Sequence, residues 1–320
     1  MKFDFRLLGK IKGILFALIS SGTFGLIPLF TLPLRQEEGM NELSIVFHRY
    51  VLSAGLIAVL CLIDKKSLFI SFKSLIRLFS ISIFYAATAV GLVYSYNYIP
   101  SGIVTTIHFL YPVVVVFFMA FFYKEALSRQ LLLIAFLAII GVGFLATSGS
   151  SGGQYLQHNT FGSVVLGLLL SLITAFTYGF YIVRLNLRGI RELDSKVITF
   201  YVLVFGALLY AIFAQFTSGG IQRIPSGAAW LNLSLLALFP TVISLITLIL
   251  AVKKVGSTIT SILGAAEPIV AVLCGVFVFD EAFTLGSFLG LGLVVTAVTL
   301  VMLNMARKRS GKQMDSSSVE

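Results

Sequence analysis

The sequence predicts an all-α polytopic membrane protein of ten transmembrane helices, arranged as two inverted five-helix repeats with both termini cytoplasmic. Three observations predict it: a composition too apolar for water, ten evenly spaced apolar runs, and basic residues confined to alternate loops. Of 320 residues, 58% are hydrophobic and only 11% charged. Soluble domains carry about 25% charged residues, so this chain has too few polar side chains to coat a globule. A soluble enzyme, a coiled coil and a disordered chain are excluded on composition.

The apolar runs cover 12–34, 43–63, 75–97, 102–122, 130–148, 161–183, 197–217, 229–251, 257–279 and 285–305. Each is close to the roughly 20 residues a helix needs to cross hydrocarbon. Backbone groups have no water partners there, which selects helices. The two-residue alternation of a membrane barrel is absent. The first run has no small-residue cleavage signal after it and reads as a retained helix. Residues 1–11 form a cytoplasmic N-terminus, 12–148 a first repeat, 149–160 an external linker, 161–306 a second repeat and 307–320 a basic, Ser-rich cytoplasmic tail. Cys61 and Cys274 lie inside apolar runs and form no disulfide framework.

Threading ten helices from an internal N-terminus puts 20 of the 23 Lys and Arg residues inside. Arg35 and Arg223 fall outside, and Arg49 lies within the second run. That asymmetry is the positive-inside pattern. It accounts for the net charge of +10 without nucleic acid.

The halves resemble each other. Gly13, Leu15, Leu18, Ile19, Thr23 and Gly25 recur as Gly167, Leu169, Leu172, Ile173, Thr177 and Gly179, at an offset of 154. Further along, an offset of 156 matches Ser101/Ser257, Pro112/Pro268, Phe121/Phe277, Glu125/Glu281 and Ala126/Ala282, with Ser128 opposite Thr284. Five helices per half is an odd number, so the second half enters the membrane inverted. Inverted repeats build many secondary transporters, with the substrate near the midplane between them.

With the duplicated unit, Arg49, the two prolines and the Glu125-Ala-Leu and Glu281-Ala-Phe elements, residues 10–305 resemble the ten-helix EamA-type transporters of the drug/metabolite transporter superfamily. The resemblance implies export of amino acids, other metabolites or drugs. The Trp common in the first helix of such proteins is replaced by a region holding Phe24 and Leu26.

Seven residues are candidate substrate ligands. Glu267 and Arg49 are the formal charges well inside apolar runs, at a cost of about 2.5–3.5 kcal/mol each at a helix centre. Glu267 follows Gly264-Ala265-Ala266 and precedes Pro268, so small residues leave room beside it. A carboxylate at that depth suits a proton carrier or a counter-ion to a substrate amine. Arg49, beside His48, has three readings: holding a substrate carboxylate, pairing Glu267, or reaching the outer interface. His48 shares that ambiguity. Thr105, His108 and Tyr111 share one face of the fourth helix, and Tyr111 is the repeat counterpart of Glu267. Tyr94 and Tyr178 lie deep enough to stack on a substrate, whereas Tyr96 and Tyr98 suit an interfacial belt. Ser20, Ser21 and Thr23 read as backbone-capping or packing hydroxyls. Glu125 and Glu281 read as structural, each near a hydroxyl suited to capping the next helix. Gly286 and Gly290 form a close-packing face or a homodimer seam.

No phosphate-binding GxxxxGK[ST] loop or HExxH is present, and the three histidines are scattered. No cofactor or metal is expected. The expected partners are a small-molecule substrate, the lipid bilayer and protons exchanged through Glu267, and the expected location is the inner or plasma membrane. Two other readings stay open: an exporter of lipophilic cationic drugs, and a non-transporting membrane partner subunit or enzyme.

Overall fold

The computed structural model describes residues 5–95, 98, 104, 107–125, 128–148, 161–217, 219–278 and 283–317. Among them there is no strand. Seven helical stretches are long and apolar enough to cross a membrane: Leu8–Gln36, Glu42–Ile63, Phe72–Leu92, Phe161–Arg184, Ser195–Thr217, Gly227–Val255 and Ser257–Val278. Three shorter apolar helices, Tyr111–Tyr123, Arg129–Phe144 and Leu285–Leu300, occupy the remaining apolar runs. Thr105, Tyr96, Asn97, Ala126, Ala282, Glu281 and the 149–160 linker lie outside the described residues.

Three of the stretches are not single helices, and proline explains each interruption. The first is divided into α1 (Phe5–Phe24) and α2 (Ile27–Gln36). Pro28 sits at the second position of α2 and lacks the N–H that would continue the ladder from α1. Next come α3 (Glu42–Ile63), capped by Asn41, whose Oδ1 accepts from the Ser44 N–H at 2.8 Å, and α4 (Phe72–Ser95). The fourth apolar run yields α5, Tyr111–Tyr123, with Pro112 at its second position. After it come α6 (Arg129–Ser148), α7 (Phe161–Arg184), the single turn α8 (Arg188–Arg191) and α9 (Ser195–Thr217).

The eighth run is α10 (Gly227–Ala237), a π-helical turn over Leu238–Ile243 and α11 (Ser244–Val255). The π turn surrounds Pro240, which cannot donate to the Leu236 carbonyl; the Thr241 hydroxyl donates to that carbonyl instead, at 2.9 Å. The ninth run is α12 (Ser257–Leu263), a tight 3-10 turn over Gly264–Ala266 and α13 (Glu267–Val278). Pro268 is the missing donor there. Finally α14 covers Leu285–Ser317. Ser128 and Thr284 cap α6 and α14 as their positions predict, accepting from the Leu131 and Ser287 N–H groups at 3.4 and 3.2 Å.

The bundle has two distinct ends. At one, here the basic face, Lys66 pairs with Asp194 at 3.5 Å, Lys196 pairs with Asp64, and Arg191 donates to the Lys253 carbonyl at 2.9 Å. At the far face, Arg35 pairs with Glu42 at 2.7 Å and Ser226 donates to Glu38 at 2.6 Å. α1 enters from the basic face, since Gly13 lies against Lys254 and Val255. α7 exits there, since Asn186 donates to Ser257 at 2.5 Å. The first helices of the two repeats therefore run in opposite directions, as an odd number of helices per repeat requires.

Gly290 is used inside the chain. A Cβ on Gly141 of α6 would stand 3.0 Å from the Gly290 carbonyl oxygen, so this part of the predicted glycine face packs α6 on α14.

Candidate functional site

A cavity lined by both polar and apolar side chains lies where α1, α5, α7, α11, α12 and α13 meet, and it draws its lining from both repeats. α1 contributes Ala17, Ser20, Ser21 and Phe24. α5 contributes Tyr111, and α7 contributes Tyr178 and Ile182. From the second repeat's later helices come Leu248, Thr260, Ser261, Gly264 and Glu267. The residues taken from one helix share a face: Ala17, Ser20, Ser21 and Phe24 follow the helical period, and so do Thr260, Ser261, Gly264 and Glu267. The cavity is narrow, with room for roughly one water molecule.

Its hydrogen-bonding character is one-sided. Ser20 donates to the Ser244 carbonyl at 2.9 Å and Ser21 to the Ala17 carbonyl at 3.0 Å. Thr260 donates to the Gly256 carbonyl at 2.7 Å and Ser261 to the Thr258 carbonyl at 2.9 Å. Each hydroxyl has spent its proton on the backbone, so what it can still offer is lone pairs. The Glu267 carboxylate adds acceptors and a charge, and no hydrogen bond or ion pair engages it among the described residues. The tyrosines remain as adaptable donors. Such a lining favours a ligand rich in N–H groups.

Tyr111 is held tightly. It is 3% exposed, its ring meets Tyr178 edge-on at 4.8 Å, and its hydroxyl fills the space that the missing side chain of Gly264 leaves open. The small residues before Glu267 thus accommodate Tyr111, the repeat counterpart of Glu267. His108 stands behind this pair. Its ring is 5.6 Å from Tyr111 and 5.4 Å from Tyr178, and its Nδ1 hydrogen-bonds the Thr174 hydroxyl at 2.9 Å.

The other candidates lie elsewhere. Arg49 is buried in α3 with its guanidinium on the π turn: Nε donates to the Thr241 hydroxyl at 2.5 Å and an Nη to the Pro240 carbonyl at 2.8 Å. It forms no ion pair with Glu267. His48 is at the far face, within 2.7 Å of the Gln222 carbonyl. Tyr94 packs edge-on against Phe213 at 5.7 Å, outside the cavity lining. The sequence reading passed over Thr260 and Ser261, noted Phe24 without assigning it to a site, and took Ser20 and Ser21 for hydroxyls that satisfy backbone carbonyls or pack helices, which they do in bonding the Ser244 and Ala17 carbonyls. Two signals point to them: their helical spacing with Glu267 and Ala17, and the offset of 154 that makes Phe24 the counterpart of Tyr178.

A multi-pass helical bundle of two inverted repeats closed around a cavity between them is the architecture of membrane carriers. The sequence model of the EamA-like transporter family matches residues 11–147 and 165–303, one match to each repeat, and the chain belongs to that family of membrane transporters. It fits the drug/metabolite transporter superfamily. No curated protein matches it. A solved structure titled "Crystal structure of protein" superposes with a TM-score of 0.79 at 17% identity, over 93% of this chain and 99% of its own, which is a likeness of fold alone.

Proposed function

We propose that this chain is a ten-span secondary transporter of the inner or plasma membrane, with both termini cytoplasmic, that exports amino acids or related small metabolites. Glu267 binds the substrate amine and exchanges it for a proton. The observation that carries this reading is the character of the cavity: a carboxylate with no partner among the described residues, beside serine and threonine hydroxyls whose protons go to the backbone, between the two repeats. A primary ammonium offers three donors to such a site. The cavity as it stands admits about one water, so loading requires the surrounding helices to separate, as alternating access does. Arg49, His48 and Tyr94 are then supports of the frame, and His108 orients Tyr111 and Tyr178.

A second reading, export of lipophilic cations, is favoured by the aromatic lining of Phe24, Tyr111 and Tyr178, since a flat cation gains from aromatic faces. Neither reading involves a homodimer, and a dimer would have to use a face other than the one Gly290 gives to α6.

Proteoliposomes carrying wild type or Glu267→Gln, offered labelled amino acids, nucleosides and cationic dyes with and without a pH gradient, decide among these. The expected result is amino-acid flux that follows the gradient and falls at least tenfold in Glu267→Gln, which is about 1.4 kcal/mol of lost interaction. Dye flux alone would select the second reading. Glutamine at 267 with undiminished, gradient-driven flux would remove Glu267 from the mechanism. Absence of flux for every compound would move the assignment to a partner subunit.

A further inference from the structure

One Thr-aromatic-Gly triplet is repeated at the offset of 154, and the structure gives the two related copies equivalent contacts. The copies are Thr23-Phe24-Gly25 on α1 and Thr177-Tyr178-Gly179 on α7. The Thr23 hydroxyl bonds the Ser244 hydroxyl of α11 at 2.6 Å. The Thr177 hydroxyl is paired with the Thr88 hydroxyl of α4, at 2.7 Å. Ser244 stands 156 residues after Thr88, the same offset that relates Pro112 to Pro268. These are one hydrogen bond, made twice, and each copy crosses between the repeats.

The glycines behave alike. A Cβ on Gly25 would stand 2.5 Å from the Glu267 carbonyl oxygen and 2.7 Å from the Val270 side chain. A Cβ on Gly179 would stand 2.9 Å from the Val114 side chain and 3.5 Å from the Tyr111 carbonyl oxygen. Val114 and Tyr111 are the repeat counterparts of Val270 and Glu267. The central residues, Phe24 and Tyr178, both line the cavity. Each triplet therefore clamps the first helix of one repeat between two helices of the other, and aims an aromatic ring at the site.

The two clamps sit at different depths. Gly25 is 12 residues beyond Gly13 at the basic face, about 18 Å at helical rise, whereas Gly179 is five residues short of Arg184, about 8 Å. They also differ in tightness. At Gly25 the close neighbours include backbone, and at Gly179 the closest is a valine methyl.

We propose that these two repeat-related triplets are the paired gates of the transport cycle, the α1 triplet closing the far face and the α7 triplet closing the basic face. The inference rests on the alternating-access reading above. A packed crossing has discrete closed and open arrangements rather than a continuum. A side chain at Gly25 wedges α1 from α13 and opens the far face. A side chain at Gly179 wedges α7 from α5 and opens the basic face.

The test uses the full chain in liposomes, with Cys61→Ala and Cys274→Ala to clear the native thiols. Spin labels on Gln36→Cys and Phe283→Cys report separation at the far face. Labels on Lys124→Cys and Arg188→Cys report the basic face. Gly25→Val is expected to raise the long-distance fraction at the far face at least about twofold and leave the basic face unchanged; Gly179→Val is expected to do the reverse. Thr23→Val and Thr177→Val remove only the hydroxyl bonds and are expected to shift the same faces to a smaller degree. They decide the matter if a valine at either glycine prevents folding. Shifts of one face by both triplets, or no shift at either face in the threonine variants, would overturn the proposal. Flux of the labelled amino acids and dyes in the same liposomes separates the two readings. Opposite shifts without any flux leave the gates standing and remove the transport reading. Flux without opposite shifts removes the gates alone.

Discussion

Arg49→Met is expected to lower the stability of the folded protein by about 2 kcal/mol, read as a fall in its thermal unfolding midpoint in detergent, with Arg49→Lys recovering less than half. Two effects compete. Removing a charge from within the bundle relieves an insertion cost of about 2.5–3.5 kcal/mol. Against that stand two charge-assisted hydrogen bonds, to Thr241 and Pro240, each contributing about 1.5–3 kcal/mol. The hydrogen bonds win because the π turn has few other donors. Pro240 supplies no N–H, Thr241 already donates to Leu236, and Ser53 already serves the Ala237 carbonyl at 3.1 Å. Lysine carries the charge but not the two-pronged geometry. An unchanged or raised midpoint for Arg49→Met would mean that the π turn satisfies itself.

Arg49 also shows where the sequence stops being informative. Its burial and its cost are plain from a single arginine in an apolar run. Its partner is not, because Thr241 lies 192 residues away and becomes an acceptor only after Pro240 has distorted the helix. His48 was ambiguous for the same reason: its contact, the Gln222 carbonyl, lies in a connection with no periodicity to read. The repeat, by contrast, was legible in detail. Proline and small residues act on their own backbone, so Pro112 and Pro268 break their helices at equivalent places, just as Ser128 and Thr284 cap equivalent ones.

The cavity falls between these cases. Glu267, Tyr111 and Tyr178 could be picked out because a polar group in hydrocarbon is conspicuous. Ser20, Ser21, Thr260 and Ser261 could not, since a hydroxyl that bonds its own helix looks the same in the sequence whether it faces lipid, a neighbour or a cavity. Only the crossing of α1 with α12 and α13 distinguishes them. Gly25 marks that crossing, and the residue was already visible as a repeated glycine without its neighbour being known.

The second large effect is expected at Gly264, where a single methyl group should be harmful and a second substitution should repair it. Gly264 has φ −56° and ψ −26°, ordinary helical backbone that alanine adopts without strain. By propensity alone, Gly264→Ala would stabilise its helix by about 1 kcal/mol. The neighbour reverses the sign. The added Cβ would collide with the Tyr111 hydroxyl, and Tyr111 is buried against Tyr178, so it has no free direction except into the cavity. Overpacking of this kind costs about 1–3 kcal/mol. The displaced ring would also take up the little volume beside Glu267, so transport should fall with stability. Tyr111→Phe removes the colliding oxygen and leaves the nearest ring carbon at 3.3 Å, a distance that a small shift relieves. The double variant Gly264→Ala/Tyr111→Phe should therefore be more stable than Gly264→Ala alone, with a coupling of about 0.5–3 kcal/mol in thermal unfolding. It should regain substrate flux to the level of Tyr111→Phe. Strictly additive effects would show that Tyr111 does not occupy the Gly264 gap. Rescue of stability without rescue of flux would place the Tyr111 hydroxyl itself among the groups that hold the substrate, opposite the carboxylate at its repeat-equivalent position.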